Sequence, residues 1–276
     1  MLHRRRPSFW SLPSRPHTLA PTMSAPPPNA SARIEHTLAL RILRGDPSPG
    51  ERLPSVRALA VEFGVTAPTI QRVVARLEGR GLVQALHGSG VVVLDPRRRA
   101  GLDVLPLWFE AHASEPAAGA KMLGDVLDIR RGMAAQLIPL HRDALLAAAP
   151  MLAKHLAAQQ AATSLWHRAE ADLAAARAVL EVCGNAAAVA IFNTVEQLVR
   201  SVPHVAEALY GDPEALDANW ADVMAAVALV EDPQESRARL ESALAATDAA
   251  AVARFEALLS ADPVSTMAPP GPRQHP

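Results

Sequence analysis

Residues 53–83 read LPSVRALAVEFGVTAPTIQRVVARLEGRGLV and hold two apolar repeats at helical spacing, separated by Gly64-Val65-Thr66. Ser55 and Thr66 stand where the N-caps of the two helices would fall. Pro68 lies in the first turn of the second helix, where its missing N–H leaves no hydrogen bond unmade. The stretch therefore predicts two short amphipathic helices joined by a tight turn.

The segments on either side extend this pattern. Residues 31–44 place Ile34, Leu38 and Ile42 on one stripe, which predicts a preceding amphipathic helix. Two β-prone runs, 82–86 and 91–93, follow, and the glycines between them indicate a hairpin. Because the order is helix, helix, turn, helix and hairpin, residues 31–95 form a predicted winged helix-turn-helix domain.

The exposed face of the second helix in the turn motif carries polar side chains suited to DNA. In a helix-turn-helix, this helix enters the major groove. The Gln71 amide could bond adenine, the Arg72 guanidinium could bond guanine, and Thr69 could meet a phosphate or a thymine methyl. The alternative is an ordinary solvated helix face. Agreement between the helix order, the turn length and the hairpin favours DNA.

The run GERLPSVRALAVEFGVTAPTIQRVVARLEGRGLV, followed by HGSGVVV, resembles the N-terminal domain of GntR-family bacterial transcription regulators. The resemblance implies DNA contacts in the turn motif and in the wing. With two neighbouring polar residues added, the predicted DNA-binding residues are Arg57, Thr66, Thr69, Gln71, Arg72, His87, Gly88 and Ser89. The family usually has Arg where this chain has Ala67, and often where it has Gln71, so its operator sequence does not carry over.

Charge and composition divide the chain. Its net charge is −1, but residues 1–30 carry +4, residues 31–99 carry +5, and the remainder therefore carries −10. A basic front and an acidic back indicate that only the front meets a polyanion, although a +5 surplus could also be incidental. No apolar run approaches the ~20 residues of a membrane span. Cys183 is the only cysteine and cannot form an internal disulfide, which suits the cytoplasm.

Three stretches lack an apolar pattern. The Pro-rich tails, residues 1–30 and 263–276, are predicted to be disordered. Residues 96–119, beginning PRRRAG, are interpreted as a loose linker. Arg97–Arg99 could contact DNA phosphates or simply be solvated, and the sequence does not favour either.

Residues 120–262 are predicted to form an all-α bundle of about six or seven helices, because aromatic residues are only 4% and Ala, Leu and Val dominate. Helix starts are expected at Asp212-Pro213, Asp232-Pro233 and Thr247-Asp248. Gly184-Asn185 indicates a helix end followed by a restart. Cys183, just before it, is expected to be a small core residue. The fold class is therefore mainly α, with a small β-hairpin wing.

This half is similar, more weakly, to the ligand-sensing FCD-like domain of the FadR subfamily, through residues 127–131, 172–185 and 210–215. In many members, an Asp and three His hold a metal beside the effector. Here Asp172 survives, but Ala176 and Trp220 stand near two histidine positions, and residues 255–259 contain no histidine. We therefore expect neither a metal nor another cofactor. His141, His155 and His167 are expected to be surface residues.

An effector pocket is expected in the same half. An arginine there would suit a carboxylate, so the effector could be an organic acid or an acyl compound. The alternative for each charged candidate is an exposed helix residue. The candidate effector-binding residues are Arg130, Asp172, Asn193, Arg200 and Trp220.

Together these features predict a cytoplasmic, homodimeric transcription regulator, provisionally a repressor. It would bind a palindromic double-stranded DNA operator, with an affinity modulated by a small molecule. The sequence shows no Gly-rich phosphate loop and no nucleophile elbow, so no catalytic residues are expected. Two alternatives stay open: a helical enzyme with a DNA-binding head, and a constitutive regulator whose pocket has decayed.

Overall fold

The computed structural model describes residues 30–86 and 88–261. Its N-terminal part contains three helices and a two-stranded antiparallel hairpin in which Val83 pairs with Val93 and Leu86 with Gly90. A mainly helical fold with one small sheet confirms the predicted fold class. The elements are α1 (Ala30–Leu43), α2 (Val56–Glu62), α3 (Ala67–Gly79), β1 (Val83–Leu86) and β2 (Gly90–Val93).

One apolar core holds this domain together. Leu38, Leu59, Ile70, Leu77 and Leu82 come from three helices and the segment before β1, and each is at most 1% exposed. Burying a side chain of this size contributes roughly 1.5–3 kcal/mol. The core therefore fixes α3 against α1 and α2, and the opposite face of α3 stays open to solvent.

The turns follow the sequence signals closely, with one exception. The Ser55 side chain accepts a hydrogen bond from the backbone N–H of Ala58, as predicted. Gly64 adopts a φ of +63°, which only glycine adopts readily. Thr66 occupies the N-cap of α3, but its hydroxyl bonds the Thr69 hydroxyl instead of the backbone. The predicted N-cap position of Thr66 is therefore confirmed, although its side chain does not bond the backbone of α3.

Residues 96–119 are not a loose linker, and that interpretation is wrong. They contain α4 (Pro96–Arg99), a short 3-10 turn (Leu102–Val104), α5 (Leu105–Ala111) and the start of the next helix at Pro116. Trp108 and Ala111 of α5 pack on the winged domain. Phe109 packs on the helical region, edge-on to Phe255 at 5.6 Å between ring centroids. The segment therefore shares its side chains between two cores.

The helical region has eight helices within residues 116–261, not the six or seven predicted. The additional elements are short, and a six-residue helix is too brief to show a clear repeat in the sequence. The two longest helices, α6 and α13, pack against each other. The elements are α6 (Pro116–Leu140), α7 (Arg142–Ala147), α8 (Ala149–Gln160), α9 (Leu165–Val182), α10 (Ala186–Ser201), α11 (Pro203–Tyr210), α12 (Pro213–Leu229) and α13 (Pro233–Ala261).

Most helix starts in this region match the sequence. Asp212 accepts a hydrogen bond from the Ala215 N–H, and Asn185 accepts one from the Ala188 N–H. Thr247-Asp248, however, does not start a helix, because α13 runs through it without a break. The Thr247 hydroxyl donates to the Ala243 carbonyl, and Asp248 is buried against two arginines. Tertiary ion pairing thus overrides a local cap signal.

Two buried clusters form the core of the helical region. One surrounds Leu127, Phe192 and Phe255, and the other surrounds Ile138 and Val223. Cys183 is 6% exposed and belongs to the second cluster, as expected. Within the ranges described, no helix combines the length and hydropathy needed to cross a membrane.

Candidate functional site

Three polar side chains on the outer faces of α2 and α3 are available to a partner. Arg57, Gln71 and Arg72 are exposed. None of them makes a hydrogen bond or an ion pair with another residue in the part of the chain that the structure describes. Because their donors are not used within the domain, they can bond phosphates and base edges without breaking internal contacts.

Two nearby arginines, Arg76 on α3 and Arg80 at its C-cap, have a different role. Arg76 and Arg80 each lie 3.2 Å from a carboxylate oxygen of Glu35, a buried residue of α1. Glu78 accepts a hydrogen bond from the Ala85 N–H of β1. These contacts fix α3 relative to α1 and to the hairpin, so the exposed face of α3 is presented at a set angle.

Two threonines lie at the N-terminus of α3. The hydroxyls of Thr66 and Thr69 are 3.0 Å apart, and one donates to the other. Thr66 is exposed and Thr69 is half-buried. The pair uses one of its two hydroxyl protons internally, which leaves one donor for an external acceptor. That hydroxyl can donate to a phosphate oxygen.

The wing ends in a turn that needs glycine. Gly88 and Gly90 have φ values of +70° and +91°. The Ser89 N–H donates to the Leu86 carbonyl at 2.9 Å, and Gly88 and Ser89 are exposed at the tip. His87, also predicted to contact DNA, lies outside the described residues.

The basic run after the wing is an ordered helical turn. Arg97, Arg98 and Arg99 are exposed on α4, whose N-cap Asp95 accepts a hydrogen bond from the Arg97 N–H. A Cβ added to Gly81 would lie 2.2 Å from the Arg99 carbonyl oxygen, so α4 packs directly on the chain that leaves α3. Its positive charges are therefore held beside the winged domain.

A second feature is a cavity inside the helical region, between its two buried clusters. Its volume is about 140 Å³. An apolar cavity of about 150 Å³ in another protein binds benzene, so a small ring fits in a space of this size. Most of the wall is apolar, with side chains such as Leu127, Leu173, Phe192 and Val223.

Polar groups lie among the lining residues. Asp172 is buried, and its Oδ1 accepts a hydrogen bond of 2.6 Å from the indole Nε1 of Trp220. Arg130 Nη2 donates to Asp248 Oδ1 at 2.5 Å, and Arg131 Nη1 donates to Asp248 Oδ2 at 2.8 Å. Both oxygens of Asp248 are therefore already bound to guanidinium groups.

Burial shifts two pKa values in this cavity. Removal from water raises the pKa of the Asp172 carboxyl, against the smaller opposing effects of the Trp220 hydrogen bond and the Arg130 charge. Burial also raises the pKa of the Tyr210 hydroxyl well above its ordinary value, and the neighbouring Asp172 adds to this shift. Tyr210 is thus an uncharged hydrogen-bonding group.

Comparison with known proteins agrees with the geometry of the winged domain. The family model for bacterial regulatory proteins of the gntR family matches residues 30–93. An uncharacterized HTH-type transcriptional regulator of Mycobacterium tuberculosis is 32% identical over 223 residues, which are 78% of this chain and 86% of that relative. This chain belongs to the GntR family of bacterial regulatory proteins.

Two further proteins are also similar to this chain. The HTH-type transcriptional regulator Mce2R of Mycobacterium tuberculosis is 45% identical over 69 residues, 25% of this chain and 29% of that protein. A solved structure described by the words "Lar controls the expression of the Listeria monocytogenes agr system and mediates virulence" aligns with a TM-score of 0.47 at 17% identity, over 80% of this chain and 95% of that one. The first of these two matches covers a quarter of this GntR-family regulator.

The cavity brings together three of the five residues predicted to bind an effector. Arg130, Asp172 and Trp220 line it, whereas Asn193 and Arg200 do not. Asn193 accepts a hydrogen bond from Arg177 of α9.

Arg200 pairs with Glu170 and Glu196 at the surface. The assignment of Asn193 and Arg200 to the cavity is therefore corrected. The reason is the rotation of α10, which turns its polar stripe toward α9 and its apolar residues toward the cavity.

Several polar lining residues were not predicted, among them Tyr210, Asn219 and Asp248. Tyr210 could have been suspected, because it is the only tyrosine in the chain and lies in an apolar helix. Asn219, beside Trp220, is a polar residue in an apolar run and gives a weaker signal. Asp248 was instead interpreted as part of a helix start.

The residues around Asp172 do not fit the metal site that the subfamily resemblance would imply. Its neighbour Trp220 offers an N–H donor, which cannot ligate a cation. No group of three His, Cys, Asp or Glu side chains suited to a metal occurs among the described residues. His141 and His155 are half-buried and His167 is exposed. That the purified regulator carries no metal stays a prediction.

Proposed function

We propose that this GntR-family DNA-binding transcription regulator is controlled by a small molecule that binds in its helical region. The observation that supports this proposal is the cavity of about 140 Å³ with polar groups in a largely apolar wall. Ligand pockets commonly combine an apolar lining with a few placed polar groups. An open cavity also favours a working pocket over a decayed one.

A route for control runs through α5. Ala251 lines the cavity, and Phe255, one turn further along α13, packs edge-on against Phe109 of α5. On the other side of α5, Glu110 lies 2.6 Å from His36 of α1. A ligand that favours one packing of α13 would thereby bias α1 and the reading helix α3.

We also propose a homodimer that binds a palindromic operator. A single winged domain reads one half-site, and two-fold symmetry in the protein matches two-fold symmetry in the DNA. Sedimentation of the full chain with an operator selected from random duplexes tests this. Two chains per duplex and a symmetric selected sequence are expected, and one chain on an asymmetric site would contradict the proposal.

Filling the cavity tests the proposed control. Ala176 lines the cavity, and Ala176→Leu adds three carbons to its wall. We expect this variant to bind operator DNA normally in fluorescence anisotropy but to lose the response to small molecules extracted from the source cells. Ala174→Leu, on the exposed face of the same helix, is the matched control and should keep the response.

If no extract fraction changes the operator affinity of the wild-type protein, small-molecule control is contradicted. The same fractions address the enzyme alternative. Relatives described as transcriptional regulators favour a binding protein. Chemical conversion of a bound fraction by the wild type, lost in Ala176→Leu, would instead support an enzyme.

A further inference from the structure

Two residues that line the cavity each hold a buried polar atom without a hydrogen-bond partner among the described residues. Asn219 is 9% exposed, and its Oδ1 has no hydrogen-bond partner among residues 30–86 and 88–261. The Nε of Arg130 is buried and equally without a partner in that part of the chain. One atom is an acceptor and the other a donor. Leaving these two hydrogen bonds unmade costs free energy, so a molecule that bonds both atoms gains affinity.

The charges that line the cavity do not favour an anion. Arg130 carries one positive charge, but Asp248 carries one negative charge and lies 2.5 Å from it. Asp172 adds a negative charge when it is ionised and none when it is protonated. Arg131 also binds Asp248, so neither oxygen of that carboxylate is free, and a carboxylate ligand would have to compete with Asp248 for the Arg130 guanidinium.

A cation fits no better. An ammonium group can donate to Asn219 Oδ1, but it has no lone pair for Arg130 Nε and it is repelled by the Arg130 charge. A carboxylate has the opposite defect, because it can accept from Nε but has no proton for Asn219. Only a group that both donates and accepts satisfies the two atoms together.

We infer that the cavity takes an uncharged, mainly hydrocarbon ligand whose one polar group both donates and accepts hydrogen bonds, as a carboxamide or lactam does. This inference rests on the proposed effector site and narrows it to one ligand class. The carbonyl of the ligand accepts from Arg130 Nε, and its N–H donates to Asn219 Oδ1. The rest of the ligand lies against the apolar wall. This class differs from the organic acid that the sequence suggested.

Three probes with the same ring separate these ligand classes. Benzamide, benzoate and benzylamine are titrated into the full chain at neutral pH and followed by calorimetry and saturation-transfer NMR. We expect benzamide to bind at least about tenfold more tightly than either ion, the difference that one well-made buried hydrogen bond produces. Tighter binding of benzoate or benzylamine, or no binding of benzamide at millimolar concentration, would overturn the inference.

Matched variants locate the contact. Asn219→Leu removes the acceptor with little change in shape, so benzamide affinity should fall by about tenfold while toluene binding persists and reports an intact cavity. Gln159→Met is the control, because Gln159 is also buried with an unpaired Oε1 among the described residues but does not line the cavity. Its benzamide affinity should not change. Equal loss in both variants would contradict the assignment.

Arg130→Lys provides a second variant should Asn219→Leu fail to fold. It keeps the positive charge for Asp248 but lacks Nε. The affinity for benzamide should therefore fall again, while the affinity for toluene should not change. Failure of the ligand class and failure of the proposed function give different results. Benzamide binding without any change in operator affinity would reject effector control alone. An operator affinity that responds to benzoate but not to benzamide would reject the ligand class alone.

Discussion

At the scale of single residues, Gln71 and Arg57 are the side chains that best test the DNA-binding face. Gln71→Ala should cost ~1–3 kcal/mol of operator affinity and relax the preference at one base pair, because a base contact is lost. Arg57→Ala should weaken binding to all sequences and reduce the salt slope by about 1, as expected for a phosphate contact. Gel-shift titrations at several salt concentrations measure both effects.

Arg237→Ala controls for the loss of a positive charge, since Arg237 lies on α13, outside the winged domain, and pairs with Glu241 on the same helix. It should leave operator affinity unchanged. Normal affinity for both Arg57→Ala and Gln71→Ala, with melting curves intact, would show that DNA lies elsewhere.

Asp172 predicts a pH effect on stability. Burial raises its pKa above the ordinary value of 3.8, so the folded state favours the protonated carboxyl. The corresponding stability is present below pH 3.8 and is lost as pH rises to the raised pKa. Asp172→Asn cannot ionise, so its melting temperature should improve relative to the wild type across that pH window and then stay level. Asp125→Asn, an exposed carboxyl on α6, controls for the lost charge. A constant difference at every pH would contradict this prediction.

The residues of the cavity show how far sequence reasoning reaches at this scale. Arg130 was predicted because an arginine suits a carboxylate, and Trp220 because it stands near a histidine position of the subfamily that the sequence resembles. Arg200 was misplaced because a helical repeat gives the stripe of a helix but not the neighbour it faces. That choice depends on how α9 and α10 rotate against each other, and only tertiary packing decides it.

At the scale of elements, two glycines should respond to the same change with opposite signs. Gly81 has a φ of +69°, and a Cβ there would lie 2.2 Å from the Arg99 carbonyl oxygen. Gly81→Ala should therefore destabilise the fold by more than ~1 kcal/mol. Gly132 lies inside α6 with no atom within 4 Å of an added Cβ, so Gly132→Ala should stabilise by roughly 0.5–1 kcal/mol. Urea denaturation measures both, and shifts of the same sign would contradict the prediction.

Elements with a strong local pattern were predicted, and elements that depend on distant contacts were not. The α2–α3 pair is predicted by the Ser55 cap, by Gly64 and by an apolar stripe. Residues 105–111 have no single stripe, because Trp108 and Phe109 point to different cores. The break expected at Thr247 fails for a related reason: Asp248 finds its partners on α6 rather than on its own helix start.

At the scale of the whole molecule, the basic front of the chain predicts a separation between stability and DNA affinity. α1 begins at Ala30, so removing residues 1–29 leaves the described core complete. We expect an unchanged melting temperature, because a Pro-rich composition adds little buried surface. Operator affinity at low salt should fall slightly, since four arginines are lost. Calorimetry and salt-dependent anisotropy check the two effects, and a marked drop in melting temperature would contradict the first.

Arg130 and Arg131 of α6 both bind Asp248, so α13 is held against α6 at this residue. Sliding one long helix past the other would break both ion pairs at once, whereas a small tilt about Asp248 would keep them. Phe255 and Leu259 lie seven and eleven residues beyond that pivot, or about 10 and 16 Å at 1.5 Å per residue. A tilt of about 5° would then move them by roughly 1 Å, a displacement that close-packed neighbours cannot absorb. Asp248 lines the ligand cavity, whereas α5 contacts α13 at Phe255. A tilt about Asp248 would therefore displace α13 more at its contact with α5 than at the cavity.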